Sequence, residues 1–393
     1  MRRTVLDLTA VTAMRVACVL AVPLLLVLAR TRRGRLLGFV GVLSWAMLGW
    51  LALLDWGIGQ ELNNMVRRGN PSAYPRWMIE TALFAGFTGF LFSGFLAVLA
   101  FAIVVFTSPR FRSDASPGVA SVFLGPTWLH RWQLGLVPEE DALWLGAWLV
   151  SRCDPRMSRA DARQLRAGVR ELLDEVADAP EYRLLPPAWP LAVWGKVLSP
   201  DHGHFLAYVP PVADGERLGL LVALHGHGGN AVLWLHSWRD FADEHRFAVV
   251  CPSFGYGNWE HPDSPTAVDR AVGYAVAHHP VDAGRVVLAG LSQGGCGVGR
   301  AAAAFPGRFA GLVFLSATME PAVLGGEGLA GAKVFVAFGG RDVNVKPATV
   351  ERGIAALRTA GAAVTESRDP AGDHFLFFAK RSEIQQRIAE WLG

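Results

Sequence analysis

A chain of 393 residues is long enough for two or more domains and for a large buried core. Hydrophobic residues make up 52% of it and are densest before residue 110, a pattern that indicates membrane spans. The net charge is only +3 and no basic stripe with interleaved aromatic residues occurs, so we expect no nucleic-acid partner. The four cysteines are scattered without a C-x-x-C pair, which argues against both a disulfide framework and a zinc site.

The first 110 residues contain three candidate transmembrane helices. Leu36–Leu54 has 19 residues and Thr81–Thr107 has 27, both without a charge. Each can cross a hydrocarbon core of about 30 Å as a helix. The first candidate, Val16–Ala29, reaches spanning length only if Leu8–Met14 is included and Arg15 snorkels. A cleaved signal peptide is the alternative for this segment, but no A-x-A-like cleavage site follows it, so we favour a retained span.

Basic residues near these segments give the orientation of the expected integral membrane protein. The densest cluster, Arg30–Arg35, lies in the short turn between the first two candidate spans. Dense short basic loops tend to stay in the cytoplasm, which with three spans places the C-terminal domain there as well. If the first segment does not span the membrane, the C-terminal domain lies on the other side.

Residues 111–190 are predicted to form a linker and a helical spacer. Pro109–Pro138 is rich in Gly, Pro, Ser and Arg, as a juxtamembrane linker should be. Helices are expected over Glu139–Ser151 and from Ser158, which forms a capping box with Asp161. In the second helix, apolar residues recur at helical spacing: Leu165, Val169, Leu172, Leu173 and Val176. This region carries no recognisable chemistry.

Residues 191–393 show short apolar runs that alternate with helical stretches. The runs are Phe205–Val209, Leu218–Leu224, Phe247–Cys251, Val286–Ala289, Leu312–Leu315, Val334–Phe338 and a weak last one, Ala363–Glu366. The helical stretches are Ala231–His245, Ala267–His278, Gly294–Ala304, Pro347–Ala360 and Leu376–Leu392. This alternation predicts an α/β domain with a doubly wound, mostly parallel sheet, whose active site lies at the carboxyl ends of the strands.

The segment Gly290-Leu291-Ser292-Gln293-Gly294-Gly295 follows one of these runs and precedes a helical stretch. A G-x-S-x-G sequence between a strand and a helix indicates a nucleophile elbow, a sharp turn that exposes the serine hydroxyl above the sheet. Ser292 is therefore the candidate nucleophile. A serine hydroxyl is a weak nucleophile at neutral pH, so it needs a base to take its proton.

Two further residues follow strands in the chain order that this chemistry requires. Asp342 comes after the Val334–Phe338 run, and His374 lies between the last weak run and the final helical stretch. We predict that His374 is the general base and that Asp342 orients it. The competing acids are Glu366, Asp369 and Asp373, but Asp342 alone follows the expected strand.

A glycine-rich loop, His225-Gly226-His227-Gly228-Gly229-Asn230, follows the Leu218–Leu224 run. Loops of this type donate one backbone N–H to an oxyanion, and the residue after the nucleophile donates the second. The predicted donors are the amides of His227 and Gln293. The pairs His202-x-His204 and His225-x-His227 could suggest a metal, but no third ligand accompanies them at a suitable spacing.

The elbow and the glycine-rich loop resemble the carboxylesterase/phospholipase branch of the α/β-hydrolase superfamily, near acyl-protein thioesterases and dienelactone-hydrolase-like enzymes. Gly340-x-Asp342-x-x-Val345 is similar to their acid loop. The resemblance covers roughly the last half of the chain and implies a serine hydrolase that cleaves carboxylic esters or thioesters without a cofactor. We expect it to be membrane-anchored because of the apolar segments before residue 110, which the resemblance does not cover. The expected partners are therefore a small ester or acyl substrate and a lipid bilayer.

Two other functions stay open from the sequence. A serine peptidase of the prolyl-oligopeptidase type uses the same three residues, and a membrane scaffold with an inactive hydrolase-like domain is the alternative from another class. Only Ala317–Ala332 separates the strand after the nucleophile helix from the next, which leaves no room for an inserted cap domain. In the resulting open site, Trp234 and Trp259 could wall a substrate pocket, although each could equally pack in the core.

Overall fold

In a computed structural model the chain forms two compact units, Met1–Ser108 and Pro109–Gly393. The structure describes residues 118–124, 159–177, 203–227, 231–254, 257 and 259–393, with a few positions upstream (35, 36, 38–43, 95, 99, 144 and 148). The candidate span Val16–Ala29 lies outside the described residues, and so do most positions of Leu36–Leu54 and Thr81–Thr107. The described positions of the last two segments are helical. Among the residues described, no helix has the length and apolar character needed to cross a bilayer.

The second unit is built on a central sheet. In its described part the strands are β1 Val119–Leu124, β2 Gly203–Tyr208, β3 Leu218–Leu224, β4 Phe247–Ser253, β5 Val281–Leu291, β6 Gly311–Leu315, β7 Lys333–Gly339 and β8 Ala363–Asp369. They lie side by side in the order β1-β2-β4-β3-β5-β6-β7-β8. From β4 to β8 all neighbours are parallel, whereas β2 pairs antiparallel with both β1 and β4. The predicted doubly wound, mostly parallel sheet is therefore confirmed.

Helices cover both faces of the sheet. The α-helices whose bounds the structure describes are α1 Arg159–Ala177, α2 Ala231–Ser237, α3 Arg239–His245, α4 Ser264–His278, α5 Gly294–Ala304, α6 Pro321–Leu324, α7 Pro347–Thr359, α8 Leu376–Ala379 and α9 Arg381–Leu392, with a short 3-10 helix at Glu327–Leu329. One core lies between the sheet and α4, α5 and α7, and the other lies between the sheet and α2, α3, α8 and α9. Every residue of β3 and β4 is buried, which explains why these strands are continuous apolar runs.

Strand β1 corrects the interpretation of Pro109–Pro138 as a linker. Residues 119–124 pair along the whole of β2, from Val119 opposite Tyr208 to Leu124 opposite Gly203. A six-residue segment interrupted by Ser121 and flanked by Gly, Pro and Ser gave too weak a pattern to predict a strand. β1 is thus the edge of the described sheet and β2 is paired on both sides.

Two predicted helices are each divided in the structure. The stretch Ala231–His245 breaks into α2 and α3 at Trp238, and the stretch Leu376–Leu392 breaks into α8 and α9 at Lys380. At the first break the carbonyl of Ser237 accepts a hydrogen bond from the buried Gln385 side chain, at 2.7 Å. A contact between residues so distant in sequence explains why helical periodicity alone did not predict the break.

Candidate active site

Ser292 lies in a sharp turn between β5 and α5, at the carboxyl edge of the sheet. Its φ is +54°, in the left-handed region that non-glycine residues seldom adopt. The backbone around it is held by hydrogen bonds, from the Ser292 amide to the Leu315 carbonyl at 3.0 Å and from the Thr318 amide to the Ser292 carbonyl at 2.8 Å. The neighbouring strand β6 therefore fixes a conformation that costs roughly 1–3 kcal/mol.

The two glycines of the G-x-S-x-G sequence are required by close backbone approach. A Cβ atom at Gly290 would lie 2.5 Å from the carbonyl carbon of Gly294, and one at Gly294 would collide with the Leu224 carbonyl oxygen at the end of β3. Larger residues at either position would push the turn away from the sheet.

The structure brings Ser292, His374 and Asp342 together. His374 Nε2 lies 3.1 Å from Ser292 Oγ, and His374 Nδ1 lies 2.8 Å from Asp342 Oδ2. With the Nδ1 proton donated to the carboxylate, Nε2 presents its lone pair to the serine hydroxyl. The arrangement can deprotonate Ser292 and stabilise the imidazolium that results.

Backbone amides orient the Asp342 carboxylate. Its Oδ1 accepts hydrogen bonds from the amides of Asn344 at 2.9 Å and Val345 at 2.8 Å, so Oδ2 is left for the imidazole. The other carboxylates considered from the sequence have different partners: Glu366 pairs with Arg358, Asp369 with Lys380, and Asp373 accepts from the Phe375 amide.

The glycine-rich loop passes directly beside the nucleophile. A Cβ atom at Gly226 would lie 3.2 Å from Ser292 Cβ, so the chain at His227 is close to the serine. The second predicted donor, Gln293, is the N-cap of α5, where amides point out of the helix without intrahelical acceptors. Residues 228–230 of the loop lie outside the described residues.

His225 is a structural residue beneath this loop that the sequence reasoning did not assign. Its Nδ1 donates to the Gly226 carbonyl at 2.8 Å, and its Nε2 accepts from the Phe254 amide at 3.2 Å. Its own carbonyl accepts from the Trp259 indole at 2.8 Å. Burial lowers the pKa of His225 to about 4, so the ring is neutral at pH 7. The glycine-rich loop could have pointed to this histidine, because His225 is its first residue and immediately follows β3.

Glu260 is a second unexpected neighbour of the site. Its carboxylate accepts a hydrogen bond from the Gln293 side chain at 2.7 Å. Burial raises the pKa of Glu260, but the hydrogen bonds from the Gln293 side chain and from its own backbone amide, with the positive charge of Arg300, outweigh it and hold the pKa below its usual range. The carboxylate is therefore ionised beside both residues predicted to donate to the oxyanion. Nothing in the sequence pattern linked Glu260 to Gln293.

The two tryptophans expected to wall a pocket are buried in the core, which corrects that expectation. Trp259 stacks on Phe254 with ring centroids 5.1 Å apart. Trp234 packs edge-on against Trp238 and Phe377 on the opposite side of the sheet. The alternative considered from the sequence, packing in the core, is what the structure shows, because neither ring reaches solvent.

The histidine pairs considered as metal ligands have other roles where the structure describes them. His204 bonds Ser253 through Nδ1 at 2.8 Å, and both ring nitrogens of His225 are engaged as above. In the described part of the chain, no three His, Cys, Asp or Glu side chains converge as a metal site would require.

Residues 219–370 match a family model described as the alpha/beta hydrolase fold. No curated protein matches the chain.

Similar solved structures include a thermostable esterase, with 20% identity over 49% of this chain and 58% of that one and a TM-score of 0.42. An S-formylglutathione hydrolase from Agrobacterium tumefaciens is 20% identical over 49% of this chain and 91% of its own, with a TM-score of 0.39. The corresponding enzyme from Staphylococcus aureus is 17% identical over the same shares, with a TM-score of 0.41. This chain thus spans less than two thirds of the thermostable esterase.

Proposed function

Because residues 219–370 match the model of the alpha/beta hydrolase fold, we propose that this protein is a serine hydrolase that cleaves carboxylic esters or thioesters through an acyl-enzyme. The observation that carries the proposal is the continuous chain of contacts from Asp342 through His374 to Ser292. The left-handed backbone of the serine adds support, because strain at one non-glycine residue is expected at a nucleophile elbow.

In the first half-reaction, Ser292 Oγ attacks the substrate carbonyl carbon while His374 Nε2 takes the hydroxyl proton. Asp342 holds the imidazole in the required tautomer and stabilises its positive charge. The amides of Gln293 and His227 donate to the carbonyl oxygen as it becomes negative, and each such donor contributes about 3 kcal/mol to lowering the barrier. When the tetrahedral adduct collapses, His374 returns the proton to the leaving alcohol or thiol.

In the second half-reaction, water attacks the acyl-serine ester. His374 removes a proton from the water and then delivers it to Ser292 Oγ as the carboxylic acid leaves. The N-terminus of α5 adds a favourable dipole at the oxyanion in both halves, since Gln293 caps that helix.

The test compares substrates and a matched variant. Wild-type protein should hydrolyse p-nitrophenyl esters of increasing chain length and an acyl thioester, with a burst of p-nitrophenol equal to the enzyme concentration. Ser292→Ala should show no burst, and its turnover should fall by several orders of magnitude. Cleavage of peptides without cleavage of esters would instead support the peptidase alternative, and inactivity towards all of them would support the scaffold.

We further propose that the apolar segments before residue 110 anchor this hydrolase in a lipid bilayer, with the hydrolase domain in the cytoplasm. The support comes from the sequence, in the uncharged lengths of Leu36–Leu54 and Thr81–Thr107 and the basic cluster Arg30–Arg35. The protein should resist extraction from membranes by alkaline carbonate. Protease added to intact cells should leave the hydrolase domain uncut until the cells are permeabilised, and cutting in intact cells would reverse the assignment.

A further inference from the structure

Helix α1 lies upstream of the matched residues 219–370, yet it packs against elements next to the catalytic loops. One row of its apolar side chains, Leu165, Val169 and Leu173, forms a buried cluster with Phe375 and Trp144. Phe375 directly follows His374, so this row contacts the loop that carries the general base.

A second row on the same helix faces a different target. Leu172 and Val176 form a buried cluster with Leu233, in the helix after the glycine-rich loop, and with Phe378 in α8. The two rows share one face of the helix, with Leu172 and Val176 towards its C-terminal end, so α1 bridges the segments that follow both catalytic loops.

A polar contact closes the same interface at the end of α1. The Glu175 carboxylate forms an ion pair with the Arg381 guanidinium of α9, with the nitrogen and oxygen 2.6 Å apart. The same carboxylate oxygen lies 3.8 Å from His236 Nε2 of α2. Burial lowers the pKa of His236, although Glu175 partly opposes this. Helix α1 is therefore joined by apolar and charged contacts to α2, α8 and α9.

Phe375 links α1 to the imidazole. Its ring stands nearly perpendicular to that of His374, at 85° with centroids 5.9 Å apart. Its amide donates to Asp373 Oδ1 at 2.9 Å, which holds the backbone of the loop. A shift of the Phe375 ring would therefore displace the adjacent His374 imidazole. The position of that imidazole determines the 3.1 Å contact between His374 Nε2 and Ser292 Oγ.

We propose that α1 is a positioning element of the active site, in which the row Leu165, Val169 and Leu173 holds Phe375 and, through it, the His374 imidazole against Ser292. The proposal rests on the proposed hydrolase function. It assigns a catalytic role to a segment that the sequence showed only as a spacer. It also makes the segment between the membrane-anchor candidates and the family domain a part of the enzyme.

The two rows of α1 supply a matched pair of variants in the full chain. Val169 and Val176 are each 1% exposed on the same helix, but only Val169 belongs to the row against Phe375. Val169→Ala and Val176→Ala remove the same two methyl groups and should lower the urea midpoint similarly. With p-nitrophenyl butyrate, Val169→Ala should lower kcat about tenfold at unchanged KM, because small misplacements of a catalytic group are costly. Val176→Ala should change kcat less than twofold, and Val169→Ile should retain most of the wild-type kcat.

Equal losses of kcat in the two alanine variants, or no loss in Val169→Ala, would overturn the proposal. A second measurement, which does not depend on turnover, tests the positioning role of α1 separately from the proposed hydrolase function. Diethyl pyrocarbonate acylates accessible imidazoles, and peptide mass analysis reports the rate at His374. This rate should rise several-fold in Val169→Ala and stay at the wild-type value in Val176→Ala, whether or not the protein hydrolyses esters. Identical rates in all three proteins would also overturn the positioning role.

Discussion

At the scale of single residues, the imidazole of His374 depends on a carboxylate that the backbone itself orients. Two amides, from Asn344 and Val345, occupy one oxygen of Asp342 and leave the other for Nδ1. The side chain of Asp342 is 1% exposed, so water does not compete for it. The geometry therefore selects one tautomer of His374, and the proposed reaction needs that tautomer.

Replacing this carboxylate by an amide tests that dependence. Asp342→Asn should lower kcat by about 10³–10⁴-fold with the fold retained, because the amide can favour the wrong tautomer of His374. Asp369→Asn is the matched control, since Asp369 ends the neighbouring strand β8 and its carboxylate pairs with Lys380 and not with His374. Its kcat should stay within a few-fold of wild type, and equal losses in the two variants would show that Asp342 has no special part.

His225 predicts a pH dependence of stability. Its folded-state pKa of about 4 lies below the ordinary value of 6.5, because burial disfavours the charged ring. As the pH falls from about 6.5 to about 4, the unfolded chain binds a proton here that the folded protein does not. The free energy of unfolding therefore has its full value above pH 6.5, as far as His225 is concerned. It falls by about 3 kcal/mol as the pH is lowered to 4.

Urea unfolding at pH 7 and pH 4.5 measures this effect. The His225→Asn variant should lose less stability between the two pH values than wild type does, whatever its absolute stability. If wild type and variant lost the same unfolding free energy between these pH values, His225 would bind protons equally in the folded and unfolded chains, contrary to the prediction.

The three residues predicted for the reaction could be found from sequence because each follows a strand in a fixed order. Gly290 and Gly294 also marked the turn, since close backbone approach permits nothing larger. The burial of Trp259 and the contact between Glu260 and Gln293 could not be found, because both depend on how the loop after β4 folds back on the site. Local residue type carries no information about such a contact.

At the scale of elements, the aromatic cluster beneath the sheet holds α2, α3 and α8 together. Trp238 lies at the break between α2 and α3 and is fully buried against Trp234, Phe241 and Phe377. The sequence predicted one continuous helix because Trp238 fits its apolar period. The helix breaks there because the Trp238 indole packs in the core and the Gln385 side chain donates a hydrogen bond to the Ser237 carbonyl.

This cluster predicts a large loss of stability on truncation. Trp238→Ala should lower the free energy of unfolding by about 3–5 kcal/mol, because it opens a cavity in a closed core. Trp391→Ala is the control, since Trp391 is half-buried at the end of α9 beside Phe335, and it should cost roughly 1 kcal/mol. Denaturant melts of both variants give the comparison, and similar losses would contradict the account of the core.

At the scale of the whole molecule, the fold extends beyond the region that its motifs mark. The family match begins at residue 219, whereas the sheet begins at β1. Helix α1, also upstream of the match, packs against Phe375 next to His374. The alternation of strands and helices could be predicted because parallel strands are buried on both faces and read as apolar runs. Strand β1 and the packing of α1 could not, because a short edge strand and an amphipathic helix do not reveal their partners in sequence.

The central claim, that Ser292 is an activated nucleophile, is tested most directly by reaction with a fluorophosphonate. The full-length protein should be modified once, and peptide mass analysis should place the added phosphonate on the peptide that carries Ser292. Ser292→Ala should take up no label, while the folded control Asp369→Asn should label at the wild-type rate. Absence of labelling in the wild-type protein, or equal labelling of Ser292→Ala, would contradict the claim.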